Sequence, residues 1–304
     1  MSRYIDPSVA SKGKTIRSNL RLYKDYPLFS LVEFNIWGAC NRRCSFCPVS
    51  DPEIYANKKE GIGVKDYTRI LEDLRNVDFR GTILWSMFSE PLLHTEVFQL
   101  AQVTKEVLPN CELHVVSNGD WVRGRDERLN RLYLSGIDRI LFSLYDDDEQ
   151  YNDFAQMKER GGYSDDQFVL RRRYLKNGDY GMTISNRAGL IDSNKYRAEK
   201  EAAVYSSETP LKKPCYYPFY QVAIDYNGDV LLCPHDWSKG LVTGNALKES
   251  IWEIWKNTHF DSIRKKMMCS DRNFNPCQTC DVHGDIIGQT NFDEFLSFQG
   301  STQV

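Results

Sequence analysis

Three cysteines, Cys40, Cys44 and Cys47, stand within eight residues in a C-x3-C-x2-C pattern, directly after an apolar run over residues 29–37. Soft thiolates suit iron-sulfur clusters, and three of them on one short loop can wrap one face of a 4Fe-4S cube. The fourth iron is then without a protein ligand and open to a small molecule. A zinc knuckle or buried core cysteines are the alternatives. Zinc usually takes four protein ligands, and the next Cys or His toward the C-terminus is His94.

A second group of cysteines lies far along the chain. Cys215 is followed after twelve residues by Gly228 and after four more by Cys233, and a C-x2-C pair stands at Cys277 and Cys280. The runs 220–226 and 229–233 flank Asn227-Gly228, a hairpin signal that brings Cys215 and Cys233 together. Two helices, over 247–256 and 260–268, then carry the chain to the C-x2-C, closing a four-sulfur site. Iron-sulfur and structural zinc both fit four cysteines of this kind. Cys269 is one cysteine too many: it could replace a ligand, serve as a hydrogen-atom donor or be buried. Cys111 reads as a core residue at the foot of a strand.

The first motif resembles the signature of the radical S-adenosylmethionine (radical SAM) superfamily. The resemblance implies that the open iron chelates the amine and carboxylate of SAM, which the cluster cleaves to a 5'-deoxyadenosyl radical. The segment Trp85-Ser86-Met87-Phe88-Ser89-Glu90-Pro91 is similar to the family's Gly-Gly-Glu-Pro. Glu90 and Ser89 would then meet the SAM amine, with Phe88 and Ser89 standing where glycines are usual. Ser117-Asn118-Gly119 is similar to the family's ribose contact, and Ser143 to its serine near the SAM carboxylate. Asn186 and Arg187 would face adenine, the SAM carboxylate or substrate; an Asn turn and an exposed arginine read equally well. The C-terminal pattern, with Gly244-Asn245 and the Ile251–Trp255 helix, resembles the twitch and SPASM domains. No cysteine follows Cys280, which implies the shortened form with one auxiliary 4Fe-4S cluster on Cys215, Cys233, Cys277 and Cys280. An external electron donor such as flavodoxin or ferredoxin is implied as well.

The elements that must hold these motifs alternate. Strands are predicted over 30–36, 82–87, 112–117, 139–144 and 181–185, and helices over 64–75, 96–107, 126–134 and 165–176. This βα alternation predicts an α/β fold, a partial (β/α) barrel of five or six parallel strands, with function at the C-terminal strand ends. A small hairpin-plus-helix domain of twitch/SPASM type completes it. The expected boundaries are an N-terminal arm at 1–28 with a short helix over 16–23, the barrel at 29–189, a linker or loop at 190–214, the auxiliary domain at 215–290 and a tail at 291–304. The triplet Arg171-Arg172-Arg173 reads as the solvated face of a helix.

The chain of 304 residues carries a net charge of -3 and an apolar fraction of 41%, enough for a real core and a poor match to nucleic acid. No run approaches a membrane span and the first residues lack a secretory h-region, so a cytoplasmic protein is expected. Eight of its nine cysteines fall into two groups and then read as metal ligands more than as disulfides, with Cys111 standing apart.

The leading expectation is a two-electron oxidation of a small hydroxyl-rich substrate, a sugar, sugar nucleotide or aminocyclitol, with the auxiliary cluster as electron acceptor. Among relatives, the cysteine spacings look close to those of a dehydrogenase of an aminocyclitol alcohol. Arg187 could lower the pKa of the reacting hydroxyl. Redox-neutral epimerisation with Cys269 or Cys111 as hydrogen donor is the second reading, and peptide or protein modification the third. A metal-stabilised binding module comes last. His235 and Asp236, beside the expected auxiliary site, either touch substrate or cap a loop, and His94 reads as structural.

Overall fold

The computed structural model describes residues 7–174, 181–196 and 208–301. Helix α1 (Pro7–Ser18) and a hairpin of β1 (Arg21–Tyr23) and β2 (Tyr26–Leu28) precede the main sheet. That sheet consists of β3 (Leu31–Asn35), β4 (Thr82–Trp85), β5 (Glu112–Ser117), β6 (Arg139–Leu144), β7 (Phe168–Arg172), β8 (Gln221–Asp225), β9 (Asp229–Leu231) and β10 (Val242–Asn245). Among the described residues its order is β10-β9-β8-β3-β4-β5-β6-β7. The six strands from β8 to β7 are parallel, and β9 and β10 add antiparallel to one edge.

Period-two alternation sorts the strand residues onto two faces. Val32, Phe34, Ile83, Trp85, Leu113, Val115, Ile140 and Phe142 are buried apolar side chains. They face the helices α2 (Val64–Asn76), α3 (Val97–Val107), α4 (Asp126–Leu134) and α5 (Asp148–Gly161), as in the contacts of Phe34 with Tyr67 and of Phe142 with Phe154. The alternate residues Glu33, His114, Arg139 and Arg171, with Ser86 just past β4, point to the concave interior beside Leu31, Leu84, Val116 and Leu141, so its lining mixes polar and apolar groups. Three more helices, α6 (Ile251–Lys256), α7 (Thr258–Met268) and α8 (Gln289–Ser301), pack below the hairpin end. Trp255 anchors them: its Nε1 donates to the Pro27 carbonyl at 2.9 Å, and its ring meets Phe29 and Phe260, each at 5.3 Å.

Four expectations need correction. Residues 168–172 form β7 instead of the helix predicted over 165–176; residues 175–180 lie outside the described residues. Within β7, Arg171 is buried and donates to Ser143 Oγ at 2.7 Å, and Arg173 is buried too, so the triplet is not a solvated helical face. The crossover helix is α5, which starts on the Asp147 N-cap and stops at Gly162, whose φ of 65° is left-handed. Residues 181–185 do not form a strand, and residues 16–23 form the end of α1 and β1.

Candidate active site

The loop leaving the C-terminal end of β3 carries the first three cysteines. Cys40 N donates to Asn57 Oδ1 at 2.8 Å, and Asn118, just past the end of β5, approaches Cys40 Sγ with its Nδ2 at 3.9 Å. Arg42 fastens this loop to two further strand ends, donating to Asp120 at 2.7 Å and to Asp146 at 2.6 Å. Such charge-assisted pairs have specific geometry and fix the loop that carries the three sulfurs against the strand ends. Burial raises the thiol pKa at all three, to about 12 at Cys40 and about 11 at Cys44. A metal must therefore displace protons to bind.

Beside the loop lies a chamber of about 320 Å³, lined among others by the three cysteines, Ser89, Glu90, Ser117, Asn118, Ser143 and Arg187. Glu90 is buried and accepts from Ser117 Oγ at 2.8 Å, Asn118 N at 2.7 Å and Leu92 N at 3.1 Å. Burial outweighs these donors and lifts its pKa to about 7. The positive φ of the family-like segment falls on Met87, at 81°, and not on Phe88 or Ser89. Phe88 instead packs against Trp237 at 4.6 Å, an apolar wall that screens the chamber from water. Gly119 has a φ of 77°, and a Cβ there would collide with Phe154. The buried Nε atoms of Arg187 and Trp237 have no partner within the described residues, as expected of groups that await a ligand.

The second cysteine group also converges. Cys233, Cys277 and Cys280 are buried, Cys215 is partly so, and all four line one small cavity with Met267, Arg272 and Val282. The thiol pKa of Cys233 is pushed well up, first by burial and then by the neighbouring Cys277, Cys280 and Cys215. Among the described residues no group of three or more Cys, His, Asp or Glu closes around a single-ion position. Gly284 lies so close that a Cβ would collide with Cys215 Sγ. Arg272, which sequence reasoning missed, is buried and donates to the carbonyls of Lys213, Pro214 and Val282 at 3.0, 2.9 and 3.1 Å. It thus holds the chain on both sides of the sulfurs.

The remaining expected residues divide. Asn186 does not line the chamber; its backbone N donates to Asp281 and its Nδ2 to the Thr279 carbonyl at 2.7 Å, fixing the C-x2-C segment to the barrel rim. Arg187 does line it, with Nη1 3.5 Å from His235 Nδ1. His235 lines both the chamber and the four-cysteine cavity, and burial first, then Arg187 and Lys12, lower its pKa to about 3. Asp236 caps its loop by accepting from Gly240 N and Leu241 N, and His94 bonds the Ile62 carbonyl. Cys269 is exposed and Cys111 is buried against the Phe79 carbonyl; neither lines the chamber. Arg171 and Lys12, both in the interior, carried no sequence signal.

A family model, the radical SAM superfamily, matches residues 34–186, about half of the chain, and an iron-sulfur cluster-binding SPASM domain matches residues 215–281. The chain belongs to the radical SAM superfamily and carries a C-terminal SPASM-type domain. It is an enzyme, a radical SAM oxidoreductase whose cofactors are SAM, a 4Fe-4S cluster and an auxiliary iron-sulfur cluster. A curated relative from Niallia circulans, an S-adenosyl-L-methionine-dependent 2-deoxy-scyllo-inosamine dehydrogenase, is 29% identical over 262 residues, covering 83% of this chain and 93% of the relative. The crystal structure of BtrN in complex with AdoMet and 2-DOIA is similar with a TM-score of 0.67 and 25% identity, over 84% of this chain and 94% of that one. BtrN in an open conformation matches in fold with a TM-score of 0.60 and 22% identity, over 84% and 93%. No described helix is long and apolar enough to cross a membrane.

Proposed function

We propose that this protein is a dehydrogenase of a small hydroxyl-rich molecule, a sugar, sugar nucleotide or aminocyclitol, as the relative's 2-deoxy-scyllo-inosamine suggests. When bound, the cofactors supply a carbon radical that takes one substrate hydrogen atom and an acceptor for the electron left behind. Cys40, Cys44 and Cys47 would hold the SAM-binding cluster, and Cys215, Cys233, Cys277 and Cys280 the auxiliary one. Glu90 offers a carboxylate to the SAM ammonium, with Ser89 beside it. Asn118 and Ser117 would contact the SAM ribose, and Ser143, bonded by Arg171, would serve the SAM carboxylate. Arg187 orients the substrate, while Phe88 and Trp237 exclude water.

The observation that carries this reading is that His235 and Tyr217 line both the chamber and the four-cysteine cavity, with no spare thiol on the chamber wall. The second cysteine set then borders the chamber, as an electron acceptor there requires, and an epimerase would lack its hydrogen donor. The reductant for the first cluster would be a flavodoxin or ferredoxin.

Reconstituted protein, SAM, dithionite and a panel of such hydroxyl compounds, incubated in D2O, provide the test. The expected result is a carbonyl product short of two hydrogens, formed in step with 5'-deoxyadenosine. A product of unchanged formula carrying one deuterium at carbon would show epimerisation instead.

A further inference from the structure

The chamber has an inner part that none of the cysteine motifs reaches. It holds about 320 Å³, lies against the inward residues of β3 to β7 and is walled on its remaining side by α1 through Ser8, Ser11, Lys12, Thr15 and Ile16. Lys12, Glu33, Ser86, Val116 and Arg187 line both parts, so the two adjoin along these side chains. Helix α1 is seated there by Arg139 Nη1, which donates to Ser11 Oγ at 2.8 Å, and by the buried Ile16.

This seating turns Lys12 inward. Its Nζ stands 5.7 Å from the ring centre of Tyr217 and 5.8 Å from that of Tyr220. The Tyr217 hydroxyl lies 3.5 Å from His235 Nε2, and Arg187 Nη1 lies 3.5 Å from Nδ1 of the same ring. Lys12 and Arg187 thus both stand on the wall that the two parts share. Lys12 keeps accessible surface only because it faces this space, and burial lowers its pKa, partly offset by Glu33.

The charges are unevenly matched. Lys12 and Arg187 form no ion pair among the described residues, whereas the chamber's carboxylates are already held by protein donors. Glu33 accepts from Ser86 Oγ at 2.8 Å and Gln221 Nε2 at 2.6 Å, and Glu90 from its three donors. Glu33 acts on Lys12 and Asp281 on Arg187 only without direct pairing, and a buried cation that lacks a paired counter-charge is costly, a cost an anionic ligand reduces. An ammonium group would meet two like charges in the same place.

We propose that Lys12 and Arg187 bind an anionic group of the substrate, a phosphate or a carboxylate, and that α1 is therefore a wall of the substrate site. This rests on the dehydrogenase reading and narrows its substrate to sugar phosphates, sugar nucleotides or sugar acids. It also separates this protein from a relative named for an amino-substituted cyclitol.

Calorimetric titration of the reconstituted, SAM-loaded protein with inositol 1-phosphate, glucuronate, myo-inositol and 2-deoxy-scyllo-inosamine tests it. One of the two anions should bind at least about tenfold tighter than the uncharged and amine-bearing cyclitols, and which anion does so identifies the group. Lys12→Met should weaken that anion by at least about tenfold and Lys12→Arg by no more than about threefold, with SAM affinity unchanged in both as the control for folding. Anions that bind no better than the other probes, or an anion affinity that Lys12→Met leaves unchanged, would overturn the proposal. A Lys12-dependent anion that is bound but never oxidised would sink the dehydrogenase reading and leave the anion site standing.

Discussion

Two arginines hold the sulfur-bearing segments of this protein. Arg42 joins the loop of Cys40, Cys44 and Cys47 to Asp120 and Asp146, which stand 78 and 104 residues further on. Arg272 gathers three carbonyls, one buried and two partly so, around Cys215 and Cys280, and among the described residues it hydrogen-bonds to no carboxylate. Each converts a flexible cysteine run into a cradle shaped before metal arrives. Arg272→Ala would leave those carbonyls without their donor, at a cost of about 2–4 kcal/mol. Iron in the reconstituted protein should then fall from about eight toward about four per chain, while the SAM-dependent cluster signal survives. Full iron content in a stable Arg272→Ala protein would show that the cradle forms without it.

At the scale of elements, α6 and α7 link the barrel to the auxiliary cysteines. Trp255 lies at the centre of that link, against Phe29, Phe260 and the Arg264 guanidinium, 4.0 Å from its ring. Trp255→Ala should destabilise the protein by about 3–5 kcal/mol, measured by denaturant titration of the reconstituted enzyme. A loss below about 1 kcal/mol would mean that the link carries little of the stability. These helices, the β8–β9 hairpin and the strands β3 to β6 were legible in the sequence because their apolar periods and turn residues act locally. The helix expected over 165–176 was not a helix because Phe168, Val169 and Leu170 pair with β6, and Ser143 draws in Arg171, whose charge had suggested solvent. Helix α5 carried its own signals in Asp147 and Gly162, yet the apolar residues between them are sparse. The cysteines were legible from spacing, and Glu90 only from the resemblance of its segment to Gly-Gly-Glu-Pro. Lys12, Arg42, Arg171 and Arg272 were not, since each matters only through partners brought near by the fold.

At the scale of the molecule, one sheet unites the two chemistries. β8 pairs in parallel with β3, so the strand before Cys40 and the hairpin before Cys233 lie side by side, and Asn35 Nδ2 meets Asp225 Oδ1 at 2.7 Å at their ends. The placement of the two cysteine sets relative to one another is therefore built into the sheet. Depth on the other side comes from α1, which closes the interior that six parallel strands leave open. The most direct test is the iron and zinc content of an anaerobically reconstituted variant with Cys40, Cys44 and Cys47 all changed to Ala. About four irons per chain should remain, with no zinc and no cleavage of SAM. Zinc in that variant, or no metal at all, would contradict the account, because the electron of the oxidation would have no auxiliary acceptor.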